Sequence, residues 1–276
     1  MSLGILTNVA ATYAQNNLNQ TQGSLQTVLQ QLSSGSRINS GADDAAGLAI
    51  ADGLHANQAA LTQSAQNAQN GVGLLQTADG ALSQVTNLLT RATTLATEAS
   101  NSTLNAAQLT AANTEFTSIV KEITNIGTAT NFNGVGVFTA TAASIVTSDG
   151  TAGGTVTFAP VVGVLTNASI GGTAVTLGAD NLSTGAAAAL TDVTAAVAAV
   201  AAQRGTIGAS INQLNAAANV ASAENVNLAS AESTIRSTNY GQATSDLAKF
   251  QVLSQTGIAA LAQANSVQKD VLKLVQ

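Results

Sequence analysis

"SSGSRINSGADDAAGLAI", Ser33 to Ile50, sets three glycines and an adjacent acidic pair between two long uncharged, helix-like segments. A nucleotide loop, a metal site and a joint between helices each predict a different protein. The glycines do not fit GxxxxGK[ST] or GxGxxG, so no phosphate cradle forms here. Asp43 and Asp44 are neighbours, and on a helix their side chains diverge by about 100°, which rules out a carboxylate pair acting on one substrate. A joint remains. Gly35 and Gly41 would let the backbone leave helical geometry, Ser34 or Ser40 would cap the next helix, and Asp43 and Asp44 would lie in its first turn at the positive end of the dipole.

The flanks on both sides are helical by period. From Leu190 through Val193, Val197, Val200, Arg204, Ile207, Ile211 and Leu214 to Ile235, the 3,4 spacing runs without a slip, which is a heptad seam. Such a helix is about 70 Å long at roughly 1.5 Å per residue. Leu61 to Ala99 carry a second long seam with one three-residue slip, and Leu109 to Ile126 a third, expected to stop at Gly127. Toward the start, Leu18, Thr21, Leu25, Val28 and Leu32 keep heptad spacing in a stretch, residues 1 to 36, without any Asp, Glu, Lys or Arg. Toward the end, Phe250, Leu253, Gly257, Ala260, Ala264, Val267, Val271 and Leu274 form one stripe, with Ile258, Leu261, Leu272 and Val275 beside it. A helix apolar on two sides needs more than one neighbour. Residues 128 to 185 read differently: "GTVTF", "VVGVLT" and "TAVTL" alternate, "TSDGTAGG" is a turn signal, and the only proline, Pro160, lies here. The fold expected is mostly α: a long antiparallel helical hairpin and coiled-coil bundle with paired terminal helices and a small β-subdomain.

Composition narrows function. Only 8% of residues are charged and 3% aromatic, while 45% are hydrophobic. A surface so poor in charge is expected to be covered by something. The net charge is −6 and the eight basic residues are scattered, so a nucleic-acid partner is not expected. Cysteine is absent, which removes disulfide and thiolate-metal frameworks. Asn8, Thr12 and Gln15 interrupt the early apolar run, and nowhere do eighteen apolar residues follow one another, so neither a cleaved signal peptide nor membrane insertion is expected. His55, the single histidine, has no ligand partner at a useful spacing and reads as a solvated helix residue; no catalytic, cofactor or metal residue is nominated.

"LSSGSRINSGADDAAGLAIADGL" resembles the N-terminal signature of bacterial flagellins. "NAQNGVGLLQTADGALSQV" at 67 to 85, "NFNGVGVF" at 131 to 138 and "LAQANSVQKDVLKLVQ" at 261 to 276 follow in that family's order. The resemblance implies an extracellular flagellar filament subunit, exported without a cleaved signal peptide. It further implies an inner terminal-helix domain (1–40 and 236–276), an outer core helical domain (41–127 and 186–235) and a small β-rich variable segment (128–185). The assembly helices would present Leu18, Leu25, Val28 and Leu32, with Phe250, Leu253, Ala260, Val267, Val271 and Leu274. Gly35, Arg37, Asn39, Gly41, Asp43 and Asp44 would form the interdomain joint. Implied partners are further copies of the chain, a flagellar export chaperone, and the cap and hook-junction proteins. Arg91, Leu95 and Glu115 match the positions gripped by the innate immune flagellin receptor; ordinary solvated helix residues are the equal alternative. Ala42, Ser237 and Asn239 replace residues commonly charged in the family, and Gln268 stands where proline is common, which implies a straighter last helix. A hook-filament junction protein, sharing the terminal helices, is the alternative function. A membrane-active or enzymatic secreted protein is a third class, disfavoured by its sparse basic residues and lack of a site.

Overall fold

The computed structural model describes residues 7–101, 103–139, 144–148, 157–158, 165–170, 173–174, 177 and 180–275, with side chains of the last helix described as far as Lys269. Five helices dominate: α1 (Val9–Ser34), α2 (Ala45–Ala99), α3 (Ala106–Ala129), α4 (Leu182–Arg236) and α5 (Tyr240–Val275). Between α3 and α4 lie β1 (Asn131–Phe132), β2 (Val135–Gly136), β3 (Ile145–Val146), β4 (Thr157–Phe158), β5 (Leu165–Thr166), β6 (Ser169–Ile170) and β7 (Thr173–Ala174). They pair antiparallel as β1-β2, β3-β4 and β5-β6-β7.

Local chemistry sets the helix ends. Asn8 accepts the N–H of Ala11 and starts α1; Gly35, at φ 71°, ends it by donating its N–H to Gln31 O at 2.9 Å. Asn105 and Gln108 form a reciprocal capping box at α3, with bonds of 2.9 and 3.0 Å. Gly127 does not stop this helix. It is buried inside α3, where the carbonyl oxygen of Leu165 lies against it so closely that a Cβ would collide. The helix ends at Thr130, whose Oγ1 donates to Ile126 O at 2.6 Å. Gly127 is therefore a packing glycine that admits β5, and the stop signal was assigned to the wrong residue.

The chain forms two compact units. One contains the residues up to Ala56 and from Leu228 onward, the other Asn57–Asn227. These divisions fall inside α2 and α4, whereas the domain limits expected from sequence were 40/41 and 235/236. Helix continuity does not mark where packing partners change.

In the Asn57–Asn227 unit the three long seams bury one another. Leu75, Leu82, Val85 and Leu89 of α2, Phe116 and Ile123 of α3, and Val193, Ile207 and Leu214 of α4 lie in one core. Arg204, which occupies a seam position, is not buried alone: its Nε and Nη2 donate to Asp79 at 2.7 and 3.1 Å. Asn225 Nδ2 donates to Gln58 O and Thr62 Oγ1 further along. The pairing of 79 with 204 and 62 with 225 makes α2 and α4 antiparallel. α4 begins at Leu182, inside the segment expected to be β, with non-helical geometry at Gly185. By length and composition α4 also meets the requirement for crossing a membrane, although no eighteen apolar residues follow one another in it. Its apolar seam is instead buried in this core.

The β-segment is real, and among the described residues its strands are two residues long, with Phe132 and Ile145 set against Gly73 and Gly71 of α2 and Leu165 against Gly127 of α3. "GTVTF", "VVGVLT" and "TAVTL" contribute β4, β5 and β7, whereas most of "TSDGTAGG" and Pro160 lie outside the described residues. "NFNGVGVF" is the β1-β2 hairpin, with Asn133 at φ 51° and Gly134 at φ 78°. Two successive positive φ values match the right-handed strand twist, which explains the Asn-Gly pair. Gly71 of α2 likewise makes room, admitting the side chains of Ile145 and Leu214.

Candidate functional site: a loop staple and a paired-helix seam

The unit made from the two chain ends holds the residues of interest. After Gly35 the chain turns along the C-terminal end of α4. Ser36 bridges Ser237, and Thr238 N donates to Gly35 O at 3.1 Å. Arg37 N donates to Arg236 O at 2.6 Å, and its Nη2 reaches Ile235 O at 2.9 Å. A guanidinium on the last carbonyls of a helix meets the negative end of its dipole. Ser36 Oγ donates to Ile38 O and, at 3.3 Å, to Arg236 O, and Asn39 Nδ2 donates to Ser36 O. The loop is thus stapled to α4 mainly through backbone groups, which carries little sequence signal beyond Arg37 and Asn39.

The acidic pair divides its labour. Asp43 Oδ2 accepts from Asn39 N, Ser40 N and Ser40 Oγ at 3.0, 2.9 and 3.1 Å, closing the turn. Those backbone donors hold its carboxyl below the ordinary carboxylate range, Asn39 contributing most. Asp44 caps α2, its Oδ1 accepting Gly47 N at 2.8 Å. Neither acid lies in the first turn, and neither Ser34 nor Ser40 caps the helix: Ser34 Oγ accepts from Ser36 N, and Ser40 donates to Asp43. Asp44 wins the cap because its carboxylate reaches the third helical N–H, while Ser40 lies a turn too early. Gly41 is also corrected: positive φ among the described glycines is confined to Gly35 and Gly134, and a Cβ on Gly41 would meet Leu48 at an ordinary 3.8 Å.

Two residues outside the expected joint anchor the loop. Ile38 is 1% exposed, a single aliphatic among polar neighbours, and Gly47 leaves the space its side chain occupies. Tyr240 sets its hydroxyl 2.9 Å from where a Gly35 Cβ would stand. An isolated apolar residue in a polar turn was the available signal for Ile38; Tyr240 was legible only as a residue kept at its family position in "IRSTNYGQATSDL".

Beyond the loop, α1 and α5 pair antiparallel. Asn8 Nδ2 donates to Ala264 O at 3.0 Å, Gly257 receives Leu18, and Thr238 Oγ1 donates to Gln31 O at 3.3 Å. Leu18, Leu25, Val28 and Leu32 all lie in the covered face of α1. On α5 the covered positions are Ala243, Leu247, Phe250, Ser254, Gly257, Leu261 and Ala264, again at 3,4 spacing. This splits the expected stripe. Phe250 faces α1, whereas Leu253, Ala260 and Val267 are exposed, as are Val252 and Ile258. Small residues at Ser254, Gly257 and Ala264 let the two backbones approach, so the seam follows them rather than the largest side chains. The side chains of Val271 and Leu274 lie outside the described residues.

Two family models match the chain: the bacterial flagellin N-terminal helical region over residues 5–143 and the C-terminal helical region over 190–275. The Treponema phagedenis flagellar filament 33 kDa core protein is 31% identical over 283 residues, covering 98% of each chain. The chain belongs to the bacterial flagellin family. The flagellin of Serratia marcescens is 39% identical over 137 residues, which is 50% of this chain and 39% of that protein, so the chain matches well under half of that relative's length. The solved Bacillus cereus flagellin aligns over 56% of this chain and 88% of its own at 28% identity, with a TM-score of 0.47.

Against the flagellin expectation for an immune-receptor contact, the structure places Arg91 and Glu115 together on the surface. Nε and Nη2 of Arg91 donate to the two carboxylate oxygens of Glu115 at 2.7 and 2.9 Å, which holds the acid below its ordinary range and raises the guanidinium. Leu95 is elsewhere: it is 2% exposed in the core, so a partner at this surface meets the ion pair and not the leucine.

Proposed function

We propose that this flagellin polymerises as the structural subunit of a flagellar filament, with the α1–α5 pair as its assembly element and loop 35–44 as the joint beside it. The observation that carries this reading is the second apolar side of α5. With α1 already seated on the seam through Phe250 and Gly257, Val252, Leu253, Ile258 and Val267 remain uncovered, the last at 48% exposure. Val9, Tyr13 and Leu29 of α1 are exposed as well. Contiguous apolar faces of this kind belong to interfaces. Copies of the chain are the partner that family membership supplies, and the filament is an extracellular appendage.

Before assembly the same α5 face would be covered by an export chaperone, and at the filament ends by cap and hook-junction proteins; the uncovered residues support all three. Receptor recognition here would meet Arg91 and Glu115 as a bidentate pair rather than as two separate charges. The test is seeded polymerisation of Leu253→Asp beside thermal circular dichroism. A buried unpaired carboxylate costs several kcal/mol by order of magnitude, so growth stops while the monomer, in which Leu253 is 43% exposed, melts as before. Normal growth, or collapse of the monomer, rejects the assignment of this face to assembly.

A further inference from the structure

The four residues "NGVG" occur twice in the chain, at 70–73 and at 133–136, and the fold treats the two copies differently. The first lies in the interior of α2, where Gly71 is buried and its N–H belongs to the helical ladder. The second is the tip of the β1-β2 hairpin: Asn133 at φ 51° and Gly134 at φ 78° are its two loop residues, between the paired positions Phe132 and Val135. Both are exposed, and nothing lies within 4 Å of where a Gly134 Cβ would stand. The Gly134 N–H falls outside the ladder that pairs 131 with 136 and 132 with 135. Asn70 is exposed too, so solvent reaches both side-chain amides, and the copies differ in the freedom of the backbone nitrogen that follows. Asn39, another asparagine before a small residue, has both groups tied: its Nδ2 donates to Ser36 O and Ser40 N donates to Asp43 Oδ2, each at 2.9 Å.

We propose that Asn133 is a self-modifying site, which converts to aspartate and isoaspartate through attack of the Gly134 backbone nitrogen on its side-chain amide. The Gly134 nitrogen gives up its proton to base and bonds to Asn133 Cγ; the Cγ–Nδ2 bond breaks, Nδ2 takes up a proton and leaves as ammonia, and a five-membered succinimide remains. Water then opens the ring at Cγ, giving aspartate, or at the main-chain carbonyl carbon, giving isoaspartate. One water is consumed and one ammonia released, with no oxidant or reductant. Glycine hinders the attack least because it carries no side chain, and it is also the residue that a loop with two positive φ values favours. The requirement that builds the hairpin therefore creates the reactive pair. In α2 the same chemistry must wait for the helix to open locally. Both products place a carboxylate on an exposed tip. Isoaspartate adds a methylene to the main chain of a two-residue loop and so disturbs the pairing of Phe132, which packs against Gly73 of α2, with Val135. None of this chemistry requires assembly.

The test is to hold the full-length monomer in warm, mildly alkaline buffer made with oxygen-18 water, beside a sample in denaturant, and to follow peptic peptides by mass spectrometry. A converted asparagine gains about three daltons, since solvent oxygen replaces the amide nitrogen. In denaturant the two "NGVG" copies are expected to react at comparable rates, because their following residues are identical. In the native protein Asn133 is expected to convert at least about tenfold faster than Asn70, with isoaspartate and aspartate resolved as separate chromatographic isomers. The gain is expected to vanish from the hairpin peptide of Asn133→Gln, whose longer side chain cannot close the five-membered ring. Native rates that match one another, a gain that persists in Asn133→Gln, or aspartate formed without isoaspartate overturns the assignment.

Discussion

Gly35 and Gly41 look alike in the sequence and differ in the structure. Gly35 combines a left-handed φ of 71° with the Tyr240 hydroxyl 2.9 Å from any added Cβ; Gly41 has neither constraint. Gly35→Ala is expected to destabilise the end-helix unit by about 1–2 kcal/mol, and Gly41→Ala to stay within about 0.5 kcal/mol of wild type, both read from denaturant unfolding of the monomer. Equal losses would show that the loop strains both positions. The acidic pair was legible as helix-start chemistry, yet the division of roles was not, because one residue of offset decides whether a carboxylate reaches the turn or the third helical N–H. Arg37 and Asn39 were legible only as family positions: their partners are backbone atoms some two hundred residues away or within the loop itself, and no pattern of side chains announces them.

Helices were the most readable elements, since burial follows the 3,4 period from Leu61 to Ala96 and from Val193 to Ala221 with few exceptions. Their ends were less so. Gly127 reads as a terminator by composition, but its role is to admit a backbone carbonyl, which cannot swing aside as a side chain can. Gly127→Ala is therefore expected to cost the Asn57–Asn227 unit about 1–3 kcal/mol, seen as a lower thermal midpoint; an unchanged midpoint would mean that β5 can retreat freely. At the start of α4, Asp180 sits beside Asp192 with its Oδ2 shielded from solvent. Burial, then the charge of Asp192 and a hydrogen bond with it, push its pKa up to about 6. A carboxyl raised in the folded state leaves stability intact below the ordinary carboxylate range and withdraws it as pH climbs through about 6. Asp180→Asn should remove that decline, so the difference in melting midpoint between variant and wild type grows from pH 4 to pH 7. A difference independent of pH would refute the assignment.

For the molecule as a whole, scarcity of charge was the most informative property and the least local. It led to the expectation of a covered surface, and the exposed aliphatics of α5 are the face that the proposed function assigns to covering. What composition could not supply was the choice of face. The expected stripe through Phe250, Leu253 and Ala260 mixes a residue on the covered seam with residues left exposed, because two apolar sides of one helix overlap in a one-dimensional reading. Small side chains, here Ser254, Gly257 and Ala264, decided the contact.

The end-helix unit draws its parts from both extremities of the chain, up to Ala56 and from Leu228 on, while the other unit is one uninterrupted stretch. During synthesis the residues of the Asn57–Asn227 unit are therefore all joined before α5 is made, whereas α1 waits for α5, the last of the five helices. A chain truncated after residue 238 and released into solution should show a protease-resistant core with its first forty residues digestible, and adding the α5 peptide in trans should restore their protection. Resistance of α1 in the truncated chain would show that it finds a substitute neighbour. Vectorial synthesis thus leaves the end-helix unit unfinished until every residue of the other is in place, an order written along the chain rather than in any contact.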